Sequence, residues 1–406
     1  MKSSKINFTN ANGKTLSGRI DLPLQRDPHN FAIFAHCFTC TKDFSAVRNV
    51  SKALASEGFG VLRFDFTGLG DSDGDFADTN FSSNVDDLVS AAHFLAEKYK
   101  APSLLVGHSL GGAAAIFAAS EIQSIEAIAT IGAPSNPVHV QKQFGDKLDV
   151  IKTAGEAVVE LAGRDFTFKK QFIDNLESHS CENAARKLNK ALLIMHSPQD
   201  ATVSIKNAEE IYLAAKHPKS FVTLDGSEHL LIDKKNASYV GKVIAGWAAR
   251  YIAVPAPETI KTTHSVVASL DDEDGFTTLM KLGTHYMKAD EPTRVGGKNF
   301  GPTPYELLAG SLSACTAMTI QMYAKRKKWG IDNVEVHTSY SREHAKDCED
   351  CENNDAAKID TFTREIKITA DLDEKQLKRV LQIADKCPVH KTLHSETQVI
   401  TTLIHP

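Results

Sequence analysis

Basic charge is in short supply in this chain. Its 406 residues carry 46 Lys and Arg against 51 Asp and Glu, a formal net charge of −5. The basic stripe that a nucleic acid or an anionic membrane surface would recruit is missing, so neither is expected as a partner. Long apolar runs are missing too. Ser, His or Gly interrupts every hydrophobic stretch well short of the roughly 18–20 residues that cross a bilayer. No apolar segment of the secretory kind follows Met1-Lys2-Ser3-Ser4-Lys5, so no leader is expected. Cysteine is sparse: Cys37, Cys40, Cys181, Cys315, Cys348, Cys351 and Cys387. An odd count on so long a chain does not read as a disulfide framework, and free thiols imply a reducing, cytoplasmic location. Internal repeats and low-complexity tracts are absent. What is present is ordinary for a globular protein, 42% hydrophobic and 24% charged. At roughly 100–200 residues per domain, the length predicts two or three domains.

The first 252 residues alternate short apolar runs with helical patterns. The runs are Phe31–Phe38, Gly60–Phe66, Ser103–Gly107, Ala127–Ile131, Ala191–Met195 and Phe221–Leu224. They do not alternate in polarity, which suits strands buried on both faces. Helical segments fall at Phe44–Glu57, Asn84–Tyr99, Leu110–Ser120 and Ala237–Tyr251. Strands separated by helices predict right-handed crossovers and a mostly parallel sheet. An antiparallel pair, Ile6–Thr9 and Thr15–Asp21, should precede it across Ala11-Asn12-Gly13, because Asn-Gly favours a hairpin. Residues 135–188 interrupt the alternation with a polar, helical insert bearing Phe144, Phe166, Phe168 and Phe172, read here as a lid.

Residues 253–259 contain Pro255 and Pro257 and read as a stiff linker. From 260 to 406 the pattern changes. A meander is expected at Ser265–Ser269, Phe276–Leu282 and Thr284–Met287, then a long helix from Pro304 to Trp329. Strands are expected at Val334–Tyr340, Thr361–Ala370 and Gln398–Ile404, with a helix at Glu374–Lys386. Segregated strands and helices define an α+β domain.

Gly107-His108-Ser109-Leu110-Gly111 lies between a strand and a helix. Such a turn presents the serine Oγ at the strand's C-terminal end, and the helix N-terminus faces the charge that develops on an attacked carbonyl. The serine needs a base and a group that orients the base. Asp200 and His229 follow the next suitable strands, in the chain order this architecture uses, with His196 and Asp225 as nearby competitors. The backbone N–H of Leu110 supplies one oxyanion donor, and the loop His36-Cys37-Phe38 should supply the other. With Asp65-Phe66-Thr67-Gly68-Leu69-Gly70-Asp71-Ser72, these motifs resemble the α/β-hydrolase superfamily over about residues 1–252. The family commonly has glycine where Cys37 stands; the correspondence gives Phe38 as second donor. Cys37 and Cys40 read as small residues packed beneath the loop, with redox activity the other reading, and Asp71 and Asp73 as solvated loop acids. The resemblance implies acyl transfer from a small-molecule substrate to water, with no cofactor.

In the second half, Cys315 lies inside the long helix and Cys387 precedes Pro388-Val389-His390. Proline suits the first turn of a helix, which makes Cys387 an N-cap, where the dipole favours a thiolate. A cysteine inside a helix is more often a small buried hydrophobe. Gly301-Pro302-Thr303-Pro304-Tyr305-Glu306-Leu307-Leu308, then Cys315, then Cys387-Pro388-Val389-His390-Lys391-Thr392-Leu393, is similar to the OsmC/Ohr family over about residues 260–406. That resemblance implies an intertwined homodimer that reduces organic hydroperoxides, with Cys315 peroxidatic, Cys387 resolving and a dithiol as reductant. The family's glutamate, ten residues before the first cysteine, is replaced by Tyr305, with Glu306 one residue along. The family's early arginine has only Arg294 to match it before the helix. Glu306 and Arg294 are therefore the candidates for thiolate support. A dimerising, binding or metal-sensing module is the alternative for this half.

His344, Cys348 and Cys351 have spacing that could supply three ligands to zinc, with an acidic surface loop as the other reading. His390 and His394 share one helix face and read as surface or dimer-contact residues.

Overall fold

The computed structural model describes residues 2–24, 26–161, 163–255, 260–344 and 358–404. The chain divides into two compact units, Met1–Glu258 and Thr259–Pro406. Of the expected linker, residues 256–259 lie outside the described residues.

The first unit opens with β1 (Lys2–Thr9) and β2 (Thr15–Leu22), paired antiparallel. The Asn10 carbonyl Oδ1 accepts the N–H groups of Asn12 and Lys14, and Gly13 takes φ 74°, so the Asn-Gly turn is closed from within. There follow β3 (Asn30–Ala35), α1 (Ser45–Ser56), β4 (Phe59–Phe64) and α2 (Phe81–Lys98). Helix α2 starts three residues before the expected Asn84. Asn80 caps it, accepting from Ser83 N–H while the Ser83 hydroxyl accepts from Asn80 N–H. Then come β5 (Leu104–His108), α3 (Leu110–Glu121) and β6 (Ala127–Ile131).

The insert after β6 holds α4 (Lys147–Ala154), β7 (Glu156–Leu161), β8 (Arg164–Lys169), α5 (Lys170–Glu177) and α6 (Cys181–Lys187). The expectation of a helical insert is corrected here in part, because β7 and β8 form an antiparallel hairpin among its helices. Its period is two, not 3.6: Phe166 and Phe168 are buried while Asp165 is exposed. The main sheet resumes with β9 (Ala191–His196), α7 (Lys206–Ala214), β10 (Lys219–Thr223) and α8 (Lys234–Ala248).

The eight strands run in the order β1-β2-β4-β3-β5-β6-β9-β10. Everything from β4 onward is parallel. Every residue of β3, β4, β5, β6 and β9 is buried, which explains their unbroken apolar runs. Along β3 the side chains still alternate. Ile33 and Ala35 join the core under α2 and α3, while Ala32 and Phe34 join the one under α1 and α8. A fully buried Leu or Phe in either layer stabilises the fold by roughly 1.5–3 kcal/mol.

The second unit has a three-stranded antiparallel sheet, β11 (Val266–Ser269), β12 (Thr278–Leu282) and β13 (His285–Ala289). Helix α9 (Pro304–Lys327) follows, capped by Thr303. Strands β14 (Ile331–His344) and β15 (Lys358–Ala370) form an antiparallel ladder longer than expected. Helices α10 (Glu374–Ala384) and α11 (Pro388–His394) complete it. Ala309, Leu312, Thr316, Ile320 and Ala324 recur every three or four residues and form the buried stripe of α9. The strand expected at Gln398–Ile404 is absent. Val399, Ile400, Leu403 and Ile404 are about four-fifths exposed. A strand needs a neighbour for its N–H and C=O groups, and no described strand of this chain pairs with the segment.

Candidate active sites

Ser109 caps α3 with φ 55° and ψ −125°, a conformation rarely open to a non-glycine residue. The turn is fixed by Ser109 N–H donating to Ile131 O at 2.8 Å. It also dictates the flanking glycines. A Cβ on Gly107 would lie 2.3 Å from Gly111 O, and one on Gly111 would lie 2.3 Å from His36 O. Leu110 opens α3, so its N–H is among the amides a helix leaves unpaired at its start.

The sheet brings three of the expected residues together. His229 Nε2 stands 3.0 Å from Ser109 Oγ, and His229 Nδ1 stands 2.6 Å from Asp200 Oδ2. The other Asp200 oxygen accepts N–H groups of Thr202 and Val203 at 2.9 and 2.8 Å. Burial pushes the Asp200 carboxyl up, but the His229 and backbone hydrogen bonds outweigh it and hold the acid below its ordinary range. Gly132, at φ 57°, passes close beneath: a Cβ there would meet Asp200 Oδ2 and His229 Nδ1 at 3.3 Å. Of the competitors, Asp225 is exposed, and His196 is buried with Nε2 3.6 Å from Asp200 Oδ2.

Three buried histidines brace the three loops of this site. His196 Nε2 bonds Val203 O at 2.7 Å, beside the acid. His108 Nε2 bonds the carbonyl of His229 itself, also at 2.7 Å. His36 Nδ1 bonds Cys37 O at 2.8 Å in the loop that carries Phe38. Each ring must donate a proton to its carbonyl, and burial pushes all three below the ordinary histidine value, His108 to about 4. The bracing roles of His36 and His108 were not expected from the sequence, although their places beside the two oxyanion segments were the available signal.

Cys37 and Cys40 are joined by a disulfide, which corrects the reading of both as free packing residues. The bond spans three positions of a turn whose Cys40 N–H also donates to Cys37 O. Packing beneath the loop places the two sulfurs side by side, a juxtaposition that a count of cysteines could not reveal. The Phe38 ring meets Phe76, Phe168 and Phe172 at 5.8–6.1 Å between centroids, tying the loop to the insert. Below it, the buried Lys42 ammonium bonds Asp65 and Asp71. Asp71 is therefore ion-paired, not merely solvated.

In the second unit, Cys315 is half-buried on α9, and Cys387 is buried as the N-cap of α11. Burial pushes the Cys387 thiol up. Hydrogen bonds with Cys315, with the His390 and Val389 amides and with the Thr316 hydroxyl outweigh it and hold the thiol below its usual value. The expected supports stand elsewhere. Glu306 accepts Thr303 N–H at 2.7 Å within the helix cap, and Arg294 is exposed in the short 3₁₀ turn Thr293–Val295. The arginine near the cysteines is Arg364 on β15. It donates to Thr316 Oγ1 at 2.8 Å, Asp385 Oδ1 at 3.0 Å and His390 Nδ1 at 3.0 Å. It was missed because it follows Cys315 in the chain instead of preceding it. Tyr305 stacks on Tyr340 with centroids 4.2 Å apart. His390 and His394 also stack, at 4.4 Å. Cys348 and Cys351 lie outside the described residues, as does the side chain of His344. Among the described residues no group of three or more His, Cys, Asp or Glu side chains could hold a metal ion. No helix among them is long and apolar enough to cross a membrane.

A parallel sheet with a serine elbow, and an acid and a histidine on later loops, defines the class: an α/β-fold serine hydrolase. The comparisons agree. The family described as serine aminopeptidase, S33, matches residues 33–162, and the OsmC-like family matches residues 296–402. The esterase domain of a Rhodothermus marinus protein is 46% identical, covering 62% of this chain and 99% of its own, with a TM-score of 0.52. Est1E from Butyrivibrio proteoclasticus, solved with ferulic acid bound, is 22% identical over 60% of this chain and 98% of its own, TM-score 0.53. GrgF from Penicillium sp. sh18 is 18% identical over 62% and 99%, TM-score 0.52. These last two share the fold. No curated protein matches. The chain belongs to the α/β-hydrolase family through its first unit and carries an OsmC-like second unit.

Proposed function

We propose that the first unit is an esterase working through Ser109, His229 and Asp200. The observation that carries this is the relay from Ser109 Oγ through His229 to Asp200 at 3.0 and 2.6 Å. His229 Nε2 takes the serine proton as Oγ attacks the acyl carbonyl. Its Nδ1–H stays donated to Asp200, which stabilises the imidazolium. The N–H groups of Leu110 and Phe38 receive the oxyanion. Collapse returns the proton to the departing alcohol. Water, deprotonated by His229, then releases the acid and restores Ser109. The esterase domain at 46% identity favours an ester over a peptide, and the phenylalanines beside Phe38 favour an apolar acyl group. Hydrolysis of p-nitrophenyl esters and labelling by a fluorophosphonate should both vanish in Ser109→Ala; retained labelling overturns the assignment.

For the second unit the same reasoning supports a thiol-dependent reductase of organic hydroperoxides. A thiolate attacks the peroxide oxygen, the alcohol leaves, and the sulfenic acid condenses with the second thiol, releasing water. A dithiol then reduces the disulfide. The hydrogen bond linking Cys315 and Cys387 supports the pairing, with Cys315 as the attacking thiolate and Cys387 as the resolving one, the order the resemblance implies. Dimedone trapping after one equivalent of cumene hydroperoxide decides it. Label on Cys315 in Cys387→Ser supports this order, and label on Cys387 in Cys315→Ser alone reverses it. The exposed apolar residues of 399–404 support a homodimer, in which a second copy supplies the missing ladder partner. Sedimentation of the whole chain tests it.

A further inference from the structure

The Cys37–Cys40 disulfide serves neither proposed reaction. It closes a turn of four residues that the Cys40 N–H to Cys37 O hydrogen bond already closes at 3.1 Å. Cross-linking so short a loop removes little freedom from an unfolded chain, so global stability is a weak reason for two cysteines here. Their position is a stronger one. Between the sulfurs lie Phe38, whose amide is the proposed second oxyanion donor, and Thr39. Thr39 is β-branched yet holds φ 61°, a conformation that such a residue leaves when it can. Its carbonyl accepts from Arg164 of the β7–β8 hairpin. Upstream, His36 holds Cys37 O; downstream, Lys42 N–H donates to Asp65. The flanks of the loop are therefore pinned by hydrogen bonds, and the segment bearing the donor is held by the Cys40 amide, the Arg164 contact and the one covalent bond that joins its two ends. That bond is reachable: Cys37 is buried at 3% exposure, but Cys40 is only half-buried.

We propose that Cys37 and Cys40 form a redox site that takes a dithiol as its substrate and sets the rate of hydrolysis at Ser109. A thiolate of the dithiol attacks Cys40 Sγ, the S–S bond breaks, and Cys37 Sγ leaves and is protonated. The second thiol of the reagent attacks the mixed disulfide and releases Cys40. The net change is protein disulfide plus dithiol giving two protein thiols plus the reagent's disulfide, with two electrons and two protons moved to the protein. The reverse exchange restores the bond. In the oxidised loop Phe38 N–H is held ready for the oxyanion. In the reduced loop Thr39 relaxes from its left-handed conformation and the donor is no longer pre-positioned. The coupling to hydrolysis rests on the esterase reading; the thiol exchange does not.

The test equilibrates the full chain with reduced and oxidised dithiothreitol over a range of ratios. Maleimide trapping with peptide mapping reads Cys37 and Cys40, and p-nitrophenyl ester turnover is read in the same samples. Both cysteines should titrate together as one two-electron step. Across it kcat should fall about tenfold, less than the roughly 10²–10³-fold of deleting a donor outright. Cys40→Ser should stay at the low rate in every buffer. Thiols that remain free at every ratio, or a kcat unchanged across the transition, overturn the proposal. Absence of ester turnover in all buffers overturns the hydrolase reading and the coupling, and the maleimide map still decides the redox site.

Discussion

Ser109, Asp200 and His229 stand at one end of the parallel strands, and buried histidines hold the loops of Asp200, His229 and Phe38 by their carbonyls. Cys315 and Cys387 stand on helices, gathered by one guanidinium that reaches over from a two-stranded ladder. The first arrangement is rigid because a sheet buried on both faces fixes the strand ends to within the slack of a packed core. The second depends on few side chains, among them the buried face of α9, which packs Ile320 and Ala324 against Ile331, Val380 and Ile383.

Several substitutions would sharpen or break that contrast. The largest effect should come from Asp200→Asn, which leaves the geometry in place but presents His229 the wrong tautomer; ester kcat should fall about 10⁴-fold. A fall below tenfold would remove Asp200 from the relay. Next is Gly111→Ala. Its Cβ would press on the carbonyls of Ala35 and His36 at 2.3–2.5 Å, both backbone, so neither can swing away. A loss of about 4 kcal/mol in denaturant unfolding is expected, at the upper end for single substitutions.

The buried histidines give the third effect. Burial, then the neighbouring His229, pushes His108 from 6.5 to about 4. The unfolded chain therefore takes up this proton first as pH falls. Stability is intact above about pH 6.5 and drops toward pH 4, by at most about 3 kcal/mol from this ring. His36 and His196 act with the same sign. His108→Gln retains a donor without the titration, so its unfolding curve should lose part of that slope between pH 6.5 and 4. The smallest effect belongs to the second unit. Thr316→Val keeps the shape but removes a hydroxyl that bonds Cys387 and accepts from Arg364. The Cys387 thiol should rise, read as a shift to higher pH of its alkylation rate, with stability lower by about 1 kcal/mol.

Much of this was legible beforehand. The unbroken apolar runs identified the central strands, because a strand buried on both faces has no polar side to show. The serine elbow was legible from its spacing between a strand and a helix, although only Gly107 is forced by near neighbours and Gly111 by the carbonyls of Ala35 and His36. The start of α9 at Pro304 was legible too, whereas Glu306, expected to support a thiolate, closes the helix cap instead. The hairpin in the insert was not read, although Phe166 and Phe168, two residues apart, share one face of a strand and not of a helix.

The sequence by itself carried the change of pattern between the two units, the central strands with their helices, and the serine elbow, because those depend on periodicity and on local turn chemistry. Only the tertiary structure decided which buried histidine serves which loop, that Cys37 meets Cys40, and that Arg364 rather than Arg294 reaches the cysteine helices. Each of those pairings is set by register and by the closing of a turn in space. A one-residue slip would reverse the face a side chain occupies, and nothing in the chain's local pattern records that choice.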